Sequence, residues 1–427
     1  MRLVGAALCA LALSGCAGAT PAAGGDASAR TPPPWLPPYS AAQLALLEPG
    51  AEPVLVRAER RFPDTRTFLY AEDRVLEDPR DAMRVTRMVA EIVERSPRYY
   101  AITDAKRDIA NDVAQYGPPG NHEPNPWLVA HKDAEGRVAL AIAPVTQEAR
   151  DAYERGGRAL KEGRADEATT AFRSAVERSP HVPALRLALA RSLQTTAPSE
   201  AELVYRELLA LDPTLSTAHV GLSELLLARG EPAAARVSLA HALAYHPRSR
   251  EALALAAKLA ASQPERVPPF AIFLDVDPAG AVRIGAPPTT AARMYAGCRA
   301  VMRYEPELRE LLFGAAPDEP YFLSATEEML CIESAIGAYV AERAASQDEG
   351  RAAPPDEQTH RMMGIAHNEG LLGYVMFEIL GKYRPEHART APSGVHRAMY
   401  LYVAKHVLGE APDPERELYY ALVTAPR

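Results

Sequence analysis

Three stretches decide the fold: DEATTAFRSAVERSP at 166–180, EAELVYRELLALDP at 200–213 and PAAARVSLAHALAYHP at 232–247. Each ends on a proline, and Pro180, Pro213 and Pro247 stand 33 and 34 residues apart. Proline cannot donate to a helix or continue one, so each closes the amphipathic helix before it, over 167–177, 199–211 and 232–245. The residues ahead of each proline recur in type. Eight places before it stand Phe172, Tyr205 and Leu239, twelve before it Ala168, Ala201 and Ala235, and five before it Ala175, Leu208 and Ala242. A period of this length means one supersecondary unit stacked several times.

The alternation of small and large positions resembles the tetratricopeptide repeat, in which an alanine lets helix A and helix B cross closely and an aromatic plugs the gap. Gly156, Ala190 and Ser223 fall where that family has a small residue, and Leu189 and Leu222 supply the leucine before it. The first repeat departs there, with Arg155. Gly163 and Gly230 mark turns between helices, whereas the second repeat has Thr195-Thr196-Ala197-Pro198 and is one residue short. An unrelated Ala/Leu-rich bundle would show helical periodicity without this shared period. The resemblance implies three stacked hairpins with a concave surface lined by the first helices. It further implies that this groove binds a partner protein, through Tyr153, Leu160 and Lys161 of the first repeat, Arg191 and Gln194 of the second, and Glu224 and Leu227 of the third.

The N-terminus points to export. Met1-Arg2 precedes an uncharged apolar run over 3–13, the layout of a secretory signal and too short for a bilayer span. Leu13-Ser14-Gly15-Cys16 resembles the lipobox of bacterial lipoproteins, which implies lipidation and cleavage at Cys16. Ala17 rather than Asp follows, which in that family implies the outer membrane. The Ala, Gly and Pro-rich stretch that comes next, with Pro32-Pro33-Pro34 and Pro37-Pro38, reads as a tether.

Composition sets the class of the remainder. With 48% hydrophobic and 24% charged residues in 427, a core of two or three domains is expected. A net charge of -8 argues against nucleic-acid binding. Once Cys9 has left with the signal and Cys16 is lipidated, Cys298 and Cys331 remain in an oxidising compartment. An even remainder favours a disulfide, here between two helical patterns over 293–312 and 325–343. A redox pair would want Cys-x-x-Cys.

The flanks read as mixed structure. A helix is expected over 79–94, and hairpins over 127–142 and 270–284, which could share one small sheet. Beyond Gly285 the pattern is helical, interrupted by a polar linker over 346–357. His360 and His367 could share a helix face, with Glu369, His387 or His396 nearby. Two turns separate the first pair by about 10 Å, however, and His-Glu-x-x-His is absent. Glu327 and Glu328 point to different faces of their helix and read as solvated. No nucleophile elbow, phosphate loop or calcium loop occurs, so neither an enzyme nor a cofactor is expected.

The expectation is thus a mainly α chain: a tetratricopeptide-repeat α-solenoid with additional helices and two short β-hairpins. It divides into a signal peptide (1–15), a tether (16–50), an N-terminal α+β region (51–145), three repeats (146–262), a β-hairpin with a helical hairpin (263–345) and a C-terminal helical region (346–427). The expected function is a lipid-anchored adaptor of the outer membrane, facing the periplasm and binding other envelope proteins. A structural subunit of an envelope machine and a metal hydrolase using the C-terminal histidines are the alternatives.

Overall fold

The computed structural model of the chain describes residues 96, 98, 100–103, 126–132, 138–260, 266–276, 278, 280–306, 321, 324–353, 355–367, 370–381, 385–391 and 393–409. All fall within one of its two compact units, Pro34–Arg427. The signal peptide, Cys16, the tether, the helix expected over 79–94 and the side chains of His367, Glu369 and His387 lie outside the described residues.

Six helices make three hairpins: α1 (Gln147–Lys161) with α2 (Ala165–Arg178), α3 (Pro183–Leu193) with α4 (Pro198–Leu211), and α5 (Ser216–Ala228) with α6 (Pro232–Tyr245). A seventh, α7 (Arg250–Leu259), follows where a fourth first helix would stand. Local chemistry explains the boundaries. Thr146 and Ser249 cap α1 and α7 by accepting the Ala149 and Ala252 amides, which meets part of the orphan-donor need of a helix start. Pro183, Pro198 and Pro232 sit in the first turns of their helices, where no N–H is needed. Gly163 and Gly230 turn the first and third hairpins at φ of 75° and 81°, a region open chiefly to glycine.

Small residues set the spacing between layers. The buried face of α1 is Ala149, Ala152, Gly156 and Ala159, and the Phe172 ring occupies the place of a Gly156 side chain, 2.6 Å from where its Cβ would stand. Tyr205 of α4 fills the same kind of vacancy over Gly221 of α5. Gly221→Ala is therefore expected to cost about 1–3 kcal/mol despite alanine's better helix propensity, because a buried ring must move. Gly157→Ala, with nothing within 4 Å of its Cβ, should gain about 0.5–1 kcal/mol. Urea unfolding of the two variants checks the contrast, and equal midpoints would overturn it.

The flanks fold onto the repeats. Strands β2 (Leu128–Lys132) and β3 (Val138–Ile142) form an antiparallel hairpin with Leu128 opposite Ile142. The second hairpin, β4 (Phe273–Val276) with β5 (Val282–Gly285), belongs to a different sheet, so the expectation of one shared sheet is corrected. Its third strand is β1 (Tyr100–Thr103), parallel to β5; only the tertiary partner makes this four-residue segment a strand. Helices α8 (Thr290–Tyr304) and α9 (Ala325–Asp348) pack together. Helix α9 runs five residues past the expected end and buries Ser346, so the linker expected from residue 346 is only 349–356. After α10 (Glu357–His367), the short α11 (Leu371–Tyr374) passes into a π-helical turn, Val375–Leu380. A 3-10 helix (Pro385–Thr390) then leads to α12 (Ser393–Tyr402), which also ends in a π-helical turn, Val403–Val407.

One hydrophobic cluster runs from α1 through the repeats into α8 to α12, and a smaller one lies under the β2–β3 hairpin. Of the three turns that lead from one repeat to the next, the first is tied to the start of α1 and the other two carry polar ties to flanking segments. At the first, the Thr146 amide donates to Ser179 Oγ at 3.1 Å. At the second, Asp212 accepts from Arg389 Nη2 at 2.7 Å and from the Ala130 amide at 3.3 Å. Arg389 also donates to Thr214 Oγ1 and to the Leu128 carbonyl, both at 3.1 Å. At the third, Arg248 donates to the Phe377 and Glu378 carbonyls at 3.2 and 3.1 Å. Hairpin, 3-10 helix and π-helical turn thus share one edge of the stack. Among the described residues, no helix is long and apolar enough to cross a membrane.

Candidate functional site

The first helices α3, α5 and α7 adjoin one another, and their polar side chains meet. Arg191 Nη2 lies 2.8 Å from Glu251 Oε2, linking the second repeat to α7. Gln194 Nε2 donates to Glu224 Oε2 at 3.2 Å and approaches the Gly221 carbonyl at 3.5 Å. Arg191, Glu224 and Glu251 are exposed. Beneath them the Tyr205 side chain is buried, with Arg191 as the polar neighbour of its hydroxyl. Burial raises its pKa above the usual phenol value, the Arg191 charge opposes this, and Glu224 and Glu251 add to it.

Of the seven residues expected to line a groove, Arg191, Gln194 and Glu224 come together. Leu160, 45% exposed, and Lys161 stand on the last turn of α1, and Leu227 is half-buried against the core. Tyr153 is a correction: its ring is wedged between Trp127 at 5.1 Å and Phe172 at 5.7 Å. It serves the junction of the hairpin with the first repeat, which could not be read from α1 alone. Glu251 and Tyr205 were not read as groove residues. Their signal was faint: Glu251 lies beyond the third proline, and Tyr205 differs from Phe172 at the same repeat position only by a hydroxyl.

Cys298 and Cys331 are bonded, with Cα atoms 5.4 Å apart, stapling α8 to α9. Beside them stands a cluster that corrects the expectation for Glu327 and Glu328. Neither is solvated: they are 1% and 0% exposed. Adjacent helix positions do diverge, but the buried Arg299 guanidinium lies between them, 3.0 Å from Glu327 Oε1 and 3.1 Å from Glu328 Oε2. Tyr321 donates to Glu327 at 2.6 Å, and Tyr295 donates to Glu328. Burial pushes the Glu328 carboxyl up, against the pull of Arg299.

The C-terminal histidines do not form one constellation among the described residues. His360 approaches the Tyr339 hydroxyl at 3.4 Å, whereas His396 is buried, with its Nε2 against the Ala388 carbonyl. His396 instead joins an aromatic stack in which His241 lies 5.4 Å from His219 and 4.5 Å from Tyr400, and Tyr245 lies 4.6 Å from His396. Among the described residues, no group of three His, Cys, Asp or Glu side chains could hold a metal ion. In the first π-helical turn Glu378 accepts two bonds from Arg266, at 2.8 and 2.6 Å, and one from Tyr402 at 2.9 Å. These partners satisfy the carboxylate and fasten the turn to the segment after α7.

A family model described as tetratricopeptide repeat matches residues 192–259. No curated protein matches the chain. Among solved structures, similarity is found to the first TPR of Spaghetti (RPAP3) bound to the HSP90 peptide SRMEEVD. It is 22% identical, with 26% of this chain and 90% of that chain covered and a TM-score of 0.25. The Arabidopsis OM64 TPR domain is 16% identical, with 26% and 94% covered and a TM-score of 0.26. The chain is mainly α, and its repeat region is a solenoid of tetratricopeptide-type hairpins, flanked by further helices and two short β-hairpins.

Proposed function

We propose that the chain is an adaptor of the bacterial cell envelope, lipid-anchored through Cys16 to the outer membrane and facing the periplasm, whose repeats bind a partner protein. The observation that carries the binding role is the unequal covering of the stack. Flanking segments fasten to the second and third turns between repeats and α12 packs on α6, while the Arg191, Glu224 and Glu251 side chains on the first helices stay exposed. Exposed polar groups held in fixed geometry across three helices suit recognition of another chain. Exposed apolar faces at Leu371, Tyr374, Val375 and Phe377 would favour the structural-subunit alternative, and these four are buried in the core.

Capture from detergent-solubilised envelopes tests this reading, comparing the native lipoprotein with a form carrying Ala at Arg191, Gln194 and Glu224. Tyr153 is left intact because of its packing role. The variant is expected to bind the specifically captured protein at least about tenfold more weakly, with unchanged circular dichroism, since about 1.4 kcal/mol of lost contact suffices. Identical capture by both forms would refute the groove. In the same cells Cys16→Ser should leave the membrane fraction, and retention there would refute the anchor.

A further inference from the structure

Three imidazoles meet where the third repeat packs against the C-terminal segment 385–409. His241 of α6 lies 5.4 Å from His219 of α5 and 4.5 Å from the Tyr400 ring of α12. Tyr245 of α6 stacks on His219 at 5.8 Å and meets His396 of α12 edge-on at 4.6 Å. His219 and His396 are 2% and 7% exposed, and the Nε2 of His241 is also shut off from water. The seam between repeat and segment is thus filled by groups that are apolar only while they stay neutral.

Two of the rings are fastened beside a buried ion pair. His219 Nε2 donates to the Pro213 carbonyl at 2.9 Å, one residue after Asp212. His396 Nε2 donates to the Ala388 carbonyl, one residue before Arg389. Arg389 in turn meets Asp212 at 2.7 Å and holds the Leu128 carbonyl of the β2–β3 hairpin. A carbonyl only accepts, so each of these two rings carries its proton on Nε2, and a second proton has to enter on Nδ1. Little in the seam welcomes the resulting charge. Asp212 acts on His219 but is already matched by Arg389, and on His241 the charges that act are those of the other two histidines. The other titratable groups against the rings are the Tyr245 and Tyr400 phenols. Of the cations on the segment, Arg397 and Lys405 are exposed, and His406 stacks on Tyr402 instead. Two imidazolium ions 5.4 Å apart in such a site repel each other strongly.

We propose that the three histidines form an acid-operated latch: in mildly acidic solution they take up protons by letting segment 385–409 leave the repeats. Its departure parts Arg389 from Asp212 and releases the β2–β3 hairpin at Leu128, while the repeats stay folded. Helix α12 has ten residues, too few to hold a helix alone in water, so its amides report the opening.

The test is hydrogen–deuterium exchange of the full chain in detergent, read by mass spectrometry across mildly acidic pH and corrected for the intrinsic exchange rate. Peptides covering α12 should lose protection about 100-fold between roughly pH 6.5 and 5.5, the product of about fivefold for each histidine released to its ordinary pKa. Peptides at 128–132 should lose protection with them, because the Ala130 amide donates to Asp212. At each pH α12 should exchange at least about tenfold faster than the most protected amides of α8 and α9, since the latch opens below the free energy of global unfolding. His219→Gln/His396→Gln should reduce the pH-dependent fall to about fivefold, with only His241 left to titrate. Protection of α12 equal to that of α8 and α9 throughout would mean that the segment leaves only when the whole chain unfolds, and overturns the latch. A full fall that the double variant retains overturns it as well. So does a fall below about threefold in the native chain, less than one histidine supplies, and this outcome decides the matter even where the double variant does not fold.

Discussion

Lowering the pH from 6.5 to 5.5 is expected to cost up to about 3 kcal/mol of folding stability, close to 1 kcal/mol for each of three buried histidines. Burial pushes His219 and His396 down from 6.5 to about 4, partly opposed by the Pro213 and Ala388 carbonyls that each ring faces. His241 is pushed well down by burial and then by the charges of the other two. The folded state thus refuses protons that the unfolded chain accepts at its ordinary pKa. Stability is full about one unit above pH 6.5, falls as pH drops through the window toward 4, and levels off below it. Few carboxylates titrate between 6.5 and 5.5, so the slope there reports the histidines. Urea midpoints across that unit, for the native chain and for His219→Gln/His396→Gln, check the claim. A slope unchanged by the double substitution would remove the histidines as its cause.

Arg389→Met carries the second large effect. It leaves the Asp212 carboxylate, fully buried, with only the Thr214 pair and a long bond from the Ala130 amide. Removing one partner of a buried ion pair costs about 3–5 kcal/mol, because the charge left behind cannot reach water. The same arginine holds the Leu128 carbonyl, so amides of the β2–β3 hairpin should exchange faster with solvent hydrogen. Asp212→Asn placed on the Arg389→Met background should recover some of the loss, which separates the stranded charge from lost packing. A loss below about 1 kcal/mol would show that the pair is solvated in practice.

The repeat hairpins were legible because their information is local: proline spacing, small positions and turn glycines all act within one unit. Both β-hairpins were legible for the same reason. What escaped reading depends on partners far along the chain. Residues 100–103 become a strand only beside Val282 to Gly285. Glu327 and Glu328 read as solvated until Arg299 arrives from a helix 28 residues earlier. Tyr153, expected at a groove position, packs against Trp127, which comes from the hairpin ahead of α1. Asp212-Pro213-Thr214 is a turn, with Thr214 donating to Asp212 at 3.0 and 2.6 Å. Nothing near it in the chain announces the arginine 177 residues on. Of the polar side chains that meet on the first helices, Arg191, Gln194 and Glu224 followed from the repeat, whereas Glu251 lies beyond the third proline.

A chain of repeats in contact only with their neighbours frays from its ends and stretches like a spring. Here the ties at Asp212 and Arg248 bind successive turns to the flanks, as a spine binds the pages of a book. Widening of the groove then becomes a hinging about those turns, with the travel concentrated at the free side, where Arg191 and Glu251 close it. On the reading proposed above, a partner entering there would separate the exposed Arg191–Glu251 pair rather than unwind the solenoid.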